Sequence, residues 1–292
     1  MTERITGKTA RGMPARATET TTDIIVNEAR LYRRIVGARI RSDWQFRGSF
    51  VTYLVAQIVV ITFEVIALVI LISLVPRFGG WTKPQILFLY GLATLPFAIG
   101  DVFISEVERL ADKYIRPGEF DTVLLRPSSA LLQILALEFE FRRSGKLLPP
   151  TAALIWAVPN LGVSWTGGRV AALVGAVACG TVIYASLWVV AASITFWAVA
   201  SREATHALTY GSQFANQYPL HVYPGYIRAV MGWALPLAFV AYIPAVFTAE
   251  TANPLGLPPW FAFSPPAVAA LMIVVAHRAW TTGVRHYQST GS

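Results

Sequence analysis

Long apolar stretches, nearly free of charge, alternate along this chain with polar segments that hold most of its arginines and lysines. A helix needs about 20 apolar residues to cross the hydrocarbon layer. Six stretches reach or approach that length: Val51 to Val75, Pro84 to Ser105, Leu147 to Val163, Val170 to Ala200, Ile227 to Thr248 and Phe263 to Thr281. The third is the shortest and is broken by Pro149, Pro150 and Pro159, and the fifth carries Pro236 and Pro244. The pattern predicts an all-α integral membrane protein with six transmembrane helices filling residues 48–288.

Ahead of the spans, residues 1–22 are polar and rich in Thr and Arg, without the apolar core of a cleavable signal. Their composition predicts a disordered tail. From Asp23 to Arg47 the spacing changes: Ile25, Ala29, Tyr32 and Val36 recur at helical intervals, while Arg30, Arg33, Arg34 and Arg41 fall largely elsewhere around the axis. With Asp23 as its N-cap, this reads as a basic amphipathic helix lying in the membrane interface, Trp44 and Phe46 near the headgroups. Two uses stay open for it, a topology anchor and a lever that also touches a cytoplasmic partner.

Composition agrees with the membrane reading. Hydrophobic residues make up 55% of the chain and charged residues 14%, against about 25% charged in a typical soluble domain. The net charge of +8 is not gathered into a nucleic-acid-reading patch, so no nucleic acid is expected. The bases flank the spans instead, where they set topology and meet anionic lipid. With the N-terminus inside, Arg77, Lys83 and Arg169 alone of the 24 bases fall outside. That asymmetry, with an even span count, predicts a multi-pass protein of a bacterial plasma membrane with both termini cytoplasmic. Cys179 is the one cysteine, which leaves no intrachain disulfide and no cysteine metal site. His206, His221, His277 and His286 lack metal-ligand spacing, so no metal or haem is expected.

Two carboxylates stand inside the spans. Glu64 lies near the middle of the first, where an ionised carboxylate costs at least about 2.5 kcal/mol on insertion scales. It must face protein or water or be protonated, and serves either as a cation- or proton-handling group of a translocation path or as a structural hydrogen-bond partner. Asp101 lies near the inner end of the second span and reads as an interfacial, wet residue. In the fourth span Gly168, Ala172, Ala176 and Gly180 recur at fours and allow close helix approach, within the bundle or at a dimer seam.

Three polar segments remain. Glu106 to Lys146 mixes acids with bases around Phe120, Val123, Leu124 and Leu125, and Pro117-Gly118 signals a turn. A topology loop needs only bases, so mixed charge with apolar residues favours a docking surface over a solvated connector. Ser201 to Tyr226 is polar and aromatic and reads as an interfacial belt. The outer segment 250–262, rich in proline and free of Lys and Arg, suits a re-entrant element.

At these residues the chain resembles the permease subunits of type-2 ABC exporters, in particular the bacterial six-span branch. The stretch Gly118-Glu119-Phe120-Asp121 with Leu124-Leu125-Arg126-Pro127 is similar to the group's G-x-x-D-x-x-L-x-R-P stretch after the second span. Gln217-Tyr218-Pro219 precedes the fifth span, and Leu235-Pro236-Leu237-Ala238-Phe239 with Tyr242-Ile243-Pro244-Ala245 is similar to the branch's proline-bearing pattern. The likeness runs from about Asp23 to Gln288. It implies a dimer of permeases, of one chain or two, with two cytoplasmic ATPase subunits that bind ATP and Mg2+. It also implies a coupling helix around Arg116 to Ser128 seated on the ATPase, a bracing helix over residues 23–47, and alternating access as mechanism. The coupling residues would be Arg116, Gly118, Glu119, Phe120, Asp121, Leu124, Leu125, Arg126 and Pro127. The tail before Asp23 is longer than the branch needs.

The residues independently place ATP hydrolysis on another chain. Gly145-Lys146 has Glu140 where a P-loop needs its first glycine and Leu147 where it needs Ser or Thr. A non-catalytic exporter subunit is therefore the expectation, and the apolar, aromatic spans suit an amphipathic drug-like or lipid-like cargo. A secondary transporter or channel built on Glu64 is the alternative, against which the chain shows no internal repeat. An intramembrane enzyme lacks a nucleophile-and-base set in any span.

Overall fold

The computed structural model describes residues 21–75, 77–126, 128–137, 139–197 and 202–287. Their regular structure is helical, with one isolated bridge between Phe78 and Trp81. In chain order the α-helices are α1 (Thr21–Gln45), α2 (Arg47–Ser73), α3 (Lys83–Phe103), α4 (Phe120–Leu124), α5 (Ala130–Leu137), α6 (Leu148–Asn160), α7 (Gly167–Ser193), α8 (Arg202–Asn216), α9 (Gly225–Ala229), α10 (Tyr242–Thr248) and α11 (Ser264–His286). Among the described residues four runs are long and apolar enough to cross a membrane: α2, α3, α7 extended to Phe196, and Pro259–His286. The pair Gly225–Ala234 and Leu237–Thr248, bent by 74°, makes a fifth if it is one span. The expected third span is the 13-residue α6, about 20 Å long at 1.5 Å per residue and so shorter than the hydrocarbon layer.

The helix α3 is the axis of the bundle. Of its apolar window 83% is buried, against 11% for α2, and it packs on α6, α7, α8 and α10. It begins where the backbone N–H of Thr82 donates to Gln85 Oε1 at 2.8 Å, with proline in the first turn. Pro96 within α3 is accommodated by Gly180 of α7: a Cβ on Gly180 would lie 3.0 Å from Pro96 and 2.9 Å from Val240. In the small-residue stripe on α7, Gly180 and Ala176 are buried, whereas Gly175, beside the stripe, faces open space. The last span, α11, packs chiefly on α7.

The helix α2 meets the bundle at the 3₁₀ turn Phe141–Leu147 and at α6. Phe50 stacks on Phe141 with ring centroids 6.0 Å apart, and the Arg142 guanidinium lies 5.3 Å from the Tyr53 ring centroid. The basic helix α1 starts at Thr21, two residues ahead of the expected cap, and lies on α5 with Tyr32 and Val36 half-buried and Arg30, Arg33, Arg34 and Arg41 exposed. Residues 1–20 lie outside the described residues.

The largest departure from the hydropathy pattern falls between α7 and α11. The segment 201–226, expected as a polar belt at one end, contains α8, which runs along α3. Tyr210 bonds Asp101 near one end of α3, and Gln213 Nε2 donates to Thr94 Oγ1 in its middle at 3.3 Å. At the far end His221 Nε2 donates to the Gly79 carbonyl at 2.6 Å, and the Tyr218 ring lies 6.1 Å from Phe78. The polar side chains of α8, Thr205, Thr209, Ser212, Gln213 and Asn216, are buried among neighbouring helices. A hydropathy window counts such residues as solvent-facing. After His221 the chain turns back through α9, bends at Pro236, and returns through α10 to place Tyr242 against Trp81, rings stacked at 5.6 Å.

Gly145 sets the approach of α2, because a Cβ there would sit 2.6 Å from the Leu54 carbonyl oxygen, which is backbone and cannot rotate away. Gly145→Ala should cost about 1–3 kcal/mol by overpacking. Gly175→Ala, facing open space, should be neutral. Thermal unfolding of the purified variants in detergent checks this, and equal melting temperatures would remove the assignment.

Candidate functional site

At the end of α3 opposite the Phe78–Trp81 hairpin lies a buried charged knot. Asp101 is 1% exposed. Arg143 Nη1 donates to its Oδ1 at 2.8 Å, Lys146 Nζ donates to its Oδ2 at 2.6 Å, and the Tyr210 hydroxyl donates to Oδ1. Arg143 also donates through Nε to Glu140 Oε2 at 2.9 Å, and the Lys146 ammonium lies 5.2 Å from the Tyr210 ring centroid. The expected wet, interfacial Asp101 is thus corrected. The carboxylate is enclosed because two cations and a phenol replace its water shell. Removing charge from water costs several kcal/mol per ion, and only such dense pairing offsets it.

Beside the knot, Glu108 is 4% exposed and accepts from Trp188 Nε1 at 2.7 Å, with Thr209 Oγ1 at 3.3 Å. Burial raises its carboxyl above the ordinary range, and the nearby Asp101 charge adds to this.

Further along α8 the polar contacts continue to Glu64. Gln217 is 2% exposed and neighbours the Glu64 carboxylate, while Tyr90 is fully buried within reach of the same charge. Glu64 Oε2, Tyr90 OH and Gln217 Nε2 are each enclosed and, among the described residues, meet no partner at good hydrogen-bond geometry. Glu64 is thus half-buried against protein, its carboxylate beside Gln217 and within reach of the Lys146 ammonium of the Asp101 knot.

The expected coupling segment folds into two unlike faces. Gly118 takes φ of +78°, a left-handed conformation that favours glycine, and turns the chain into α4. Phe120 is fully buried, its ring 4.9 Å from Tyr287, 5.4 Å from Phe196 and 6.4 Å from Trp280. One aromatic peg thus fixes α4 to the ends of α7 and α11. Asp121 lies beside Tyr287, whose hydroxyl is pushed up by burial first and by that carboxylate next. Gln133 Nε2 donates to the Val123 and Ser128 carbonyls at 3.3 and 2.9 Å and closes the turn from behind. The opposite face is open. Leu125 is 86% exposed and Leu124 42%, with Glu119 and Arg126 exposed beside them. Arg116 pairs with Asp112 at 2.7 Å on the surface, where such a pair contributes little. Pro127 lies outside the described residues.

Several residues of this region were missed by sequence reasoning. In the sequence Arg143 and Lys146 count among the topology charges, although two bases just before a span, facing a carboxylate at the same end of another, are a pairing signal. Tyr210, Glu108 and Trp188 carry no such signal, because their partners lie 80 or more residues away.

Long apolar helices around buried ion pairs define a multi-pass membrane protein, with an exposed mixed-charge tip at one end. Residues 58–291 match the family described as ABC-2 family transporter protein, and the chain belongs to that family. Membership makes it the membrane-embedded permease of an ABC transporter and implies association with an ABC ATPase. No curated protein and no solved structure matches the chain.

Asp101→Asn leaves Arg143 and Lys146 buried against a neutral amide and should cost about 3–5 kcal/mol. Adding Lys146→Met should recover part of that loss. Unfolding in mixed micelles measures both, and a fully stable single variant would contradict the buried-pair account.

Proposed function

We propose that this permease is the membrane half of an ATP-driven exporter, moving an amphipathic, lipid-like or drug-like molecule out of the cytoplasm by alternating access. Two permeases and two ATPase subunits form the complex, and ATP with Mg2+ is bound by the ATPases. The α4 tip is the coupling element and faces the cytoplasm, as the concentration of Arg and Lys at that end requires. The observation that carries this reading is the division of α4. Leu125 and Arg126 project into open space while Phe120 is locked into the aromatic socket at the ends of α7 and α11. An exposed apolar side chain rimmed by charge has the composition of an interface anchor, and its rigid mounting lets displacement of the tip move two spans.

The reading includes six crossings: α2, α3, α6, α7, α8 and α11. α8 crosses as a polar helix covered by protein, which a bundle tolerates where a lipid-facing helix would not. Residues 225–248 then enter from the exterior face and return to it, and both termini lie in the cytoplasm. The support is the chain's path, which reaches Gly79 at His221 and Trp81 again at Tyr242.

Two experiments follow. Leu125→Asp with Arg126→Ala should abolish co-purification of the ATPase while the permease still folds and inserts, and an ATPase that stays bound at wild-type yield removes α4 from the coupling role. In a Cys179→Ser background, Tyr226→Cys, at a side chain 72% exposed, should react with a membrane-impermeant maleimide added outside intact cells. Labelling only after the cytoplasmic side is opened would return 227–248 to a full span.

A further inference from the structure

We propose that the groove between α2, α3 and α6 is a binding site for one acyl chain of an anionic membrane phospholipid, with the headgroup held at Lys83. The groove encloses about 540 Å³, within the range of small-molecule sites, about 300–1,000 Å³. Its walls are apolar side chains, among them Val65, Val69, Leu87, Ala153 and Trp156. Its polar groups are sorted by depth. Thr62, at the inner end, directs its hydroxyl to its own helix, donating to the Ile58 carbonyl at 2.6 Å. Ser73 and Lys83 stand together at the other end, on either side of the hairpin that joins α2 to α3.

The dimensions select the occupant. From Thr62 to Ser73 the helix α2 rises about 16 Å at 1.5 Å per residue. That is close to half of the roughly 30 Å hydrocarbon layer, so the groove spans one leaflet and ends at headgroup level. A cargo passing through would need an opening at both ends, whereas a resident lipid needs one. The charge is complementary. Lys83 and, in the same hairpin, Arg77 have no ion-pair partner among the described residues. A phosphodiester held at Lys83, which lines the groove, with Arg77 nearby in the connecting hairpin, gains what a zwitterionic headgroup cancels. This inference does not depend on the ATPase or the direction of transport.

The test uses the full chain reconstituted in phosphatidylcholine vesicles, with either brominated-chain phosphatidylglycerol or brominated-chain phosphatidylcholine as a minor component. Trp156 quenching is read as the difference between wild type and Trp156→Phe. The site should prefer phosphatidylglycerol by about fivefold for each cation. Lys83→Gln with Arg77→Gln should abolish the preference, and Lys83→Arg should keep it. Ala152→Phe, at an exposed rim position, should fill the groove and reduce quenching to the bulk-lipid level with the fold intact. Equal quenching by the two lipids in wild type would overturn the site, as would a preference that survives the double variant. Quenching that falls as protein density in the vesicle rises would overturn it too, by showing that a second copy covers the groove.

Discussion

Asp101 holds this molecule together at its most consequential point. Arg143 and Lys146 stand 42 and 45 residues from it in sequence, so their bonds to its two oxygens close the whole polar loop between α3 and α6 at the neck. Tyr210 adds α8 to the same carboxylate. The entropy cost of closing a loop grows only slowly with its length, so pairing at the neck can offset it. Closed by buried ion pairs, it becomes a handle fixed to the bundle. The turn that carries Arg143 and Lys146 also carries Gly145, where α2 makes its closest backbone approach. The knot therefore fixes α2, α3 and α8 relative to one another.

The handle's outer part has its own anchor. Phe120 reaches the ends of α7 and α11, not the knot. The exposed Leu125 tip is thus tied to the bundle by two routes, an electrostatic one to α3 and α8 and an aromatic one to α7 and α11. Motion of the tip would be shared between two groups of helices, which is what the coupling role proposed above asks of it.

Much of this was legible in the sequence, and the failures share a physical cause. The spans α2, α3, α7 and α11 are readable because lipid or core surrounds most of each helix, so apolar length alone marks them. The mixed-charge segment stood out in the sequence, but which of its apolar residues are exposed did not: Leu124 and Leu125 are, whereas Phe120 and Val123 turn inward. The course of α8 was not. Its Thr, Ser, Gln and Asn side chains are buried against Glu108, Thr94 and Tyr184 rather than solvated, and a single sequence does not distinguish polar-because-paired from polar-because-wet. The same ambiguity misplaced Asp101, whose surroundings depend on Arg143, Lys146 and Tyr210 arriving from distant parts of the chain.

The central claim is that the tip at Leu125 is gripped by a separate nucleotide-hydrolysing subunit. A photoreactive amino acid placed at position 125 and activated in intact native membranes tests this most directly. One protein adduct is expected, to a chain bearing the P-loop that this sequence lacks. Adducts only to lipid, or only to a second copy of the permease, would contradict it.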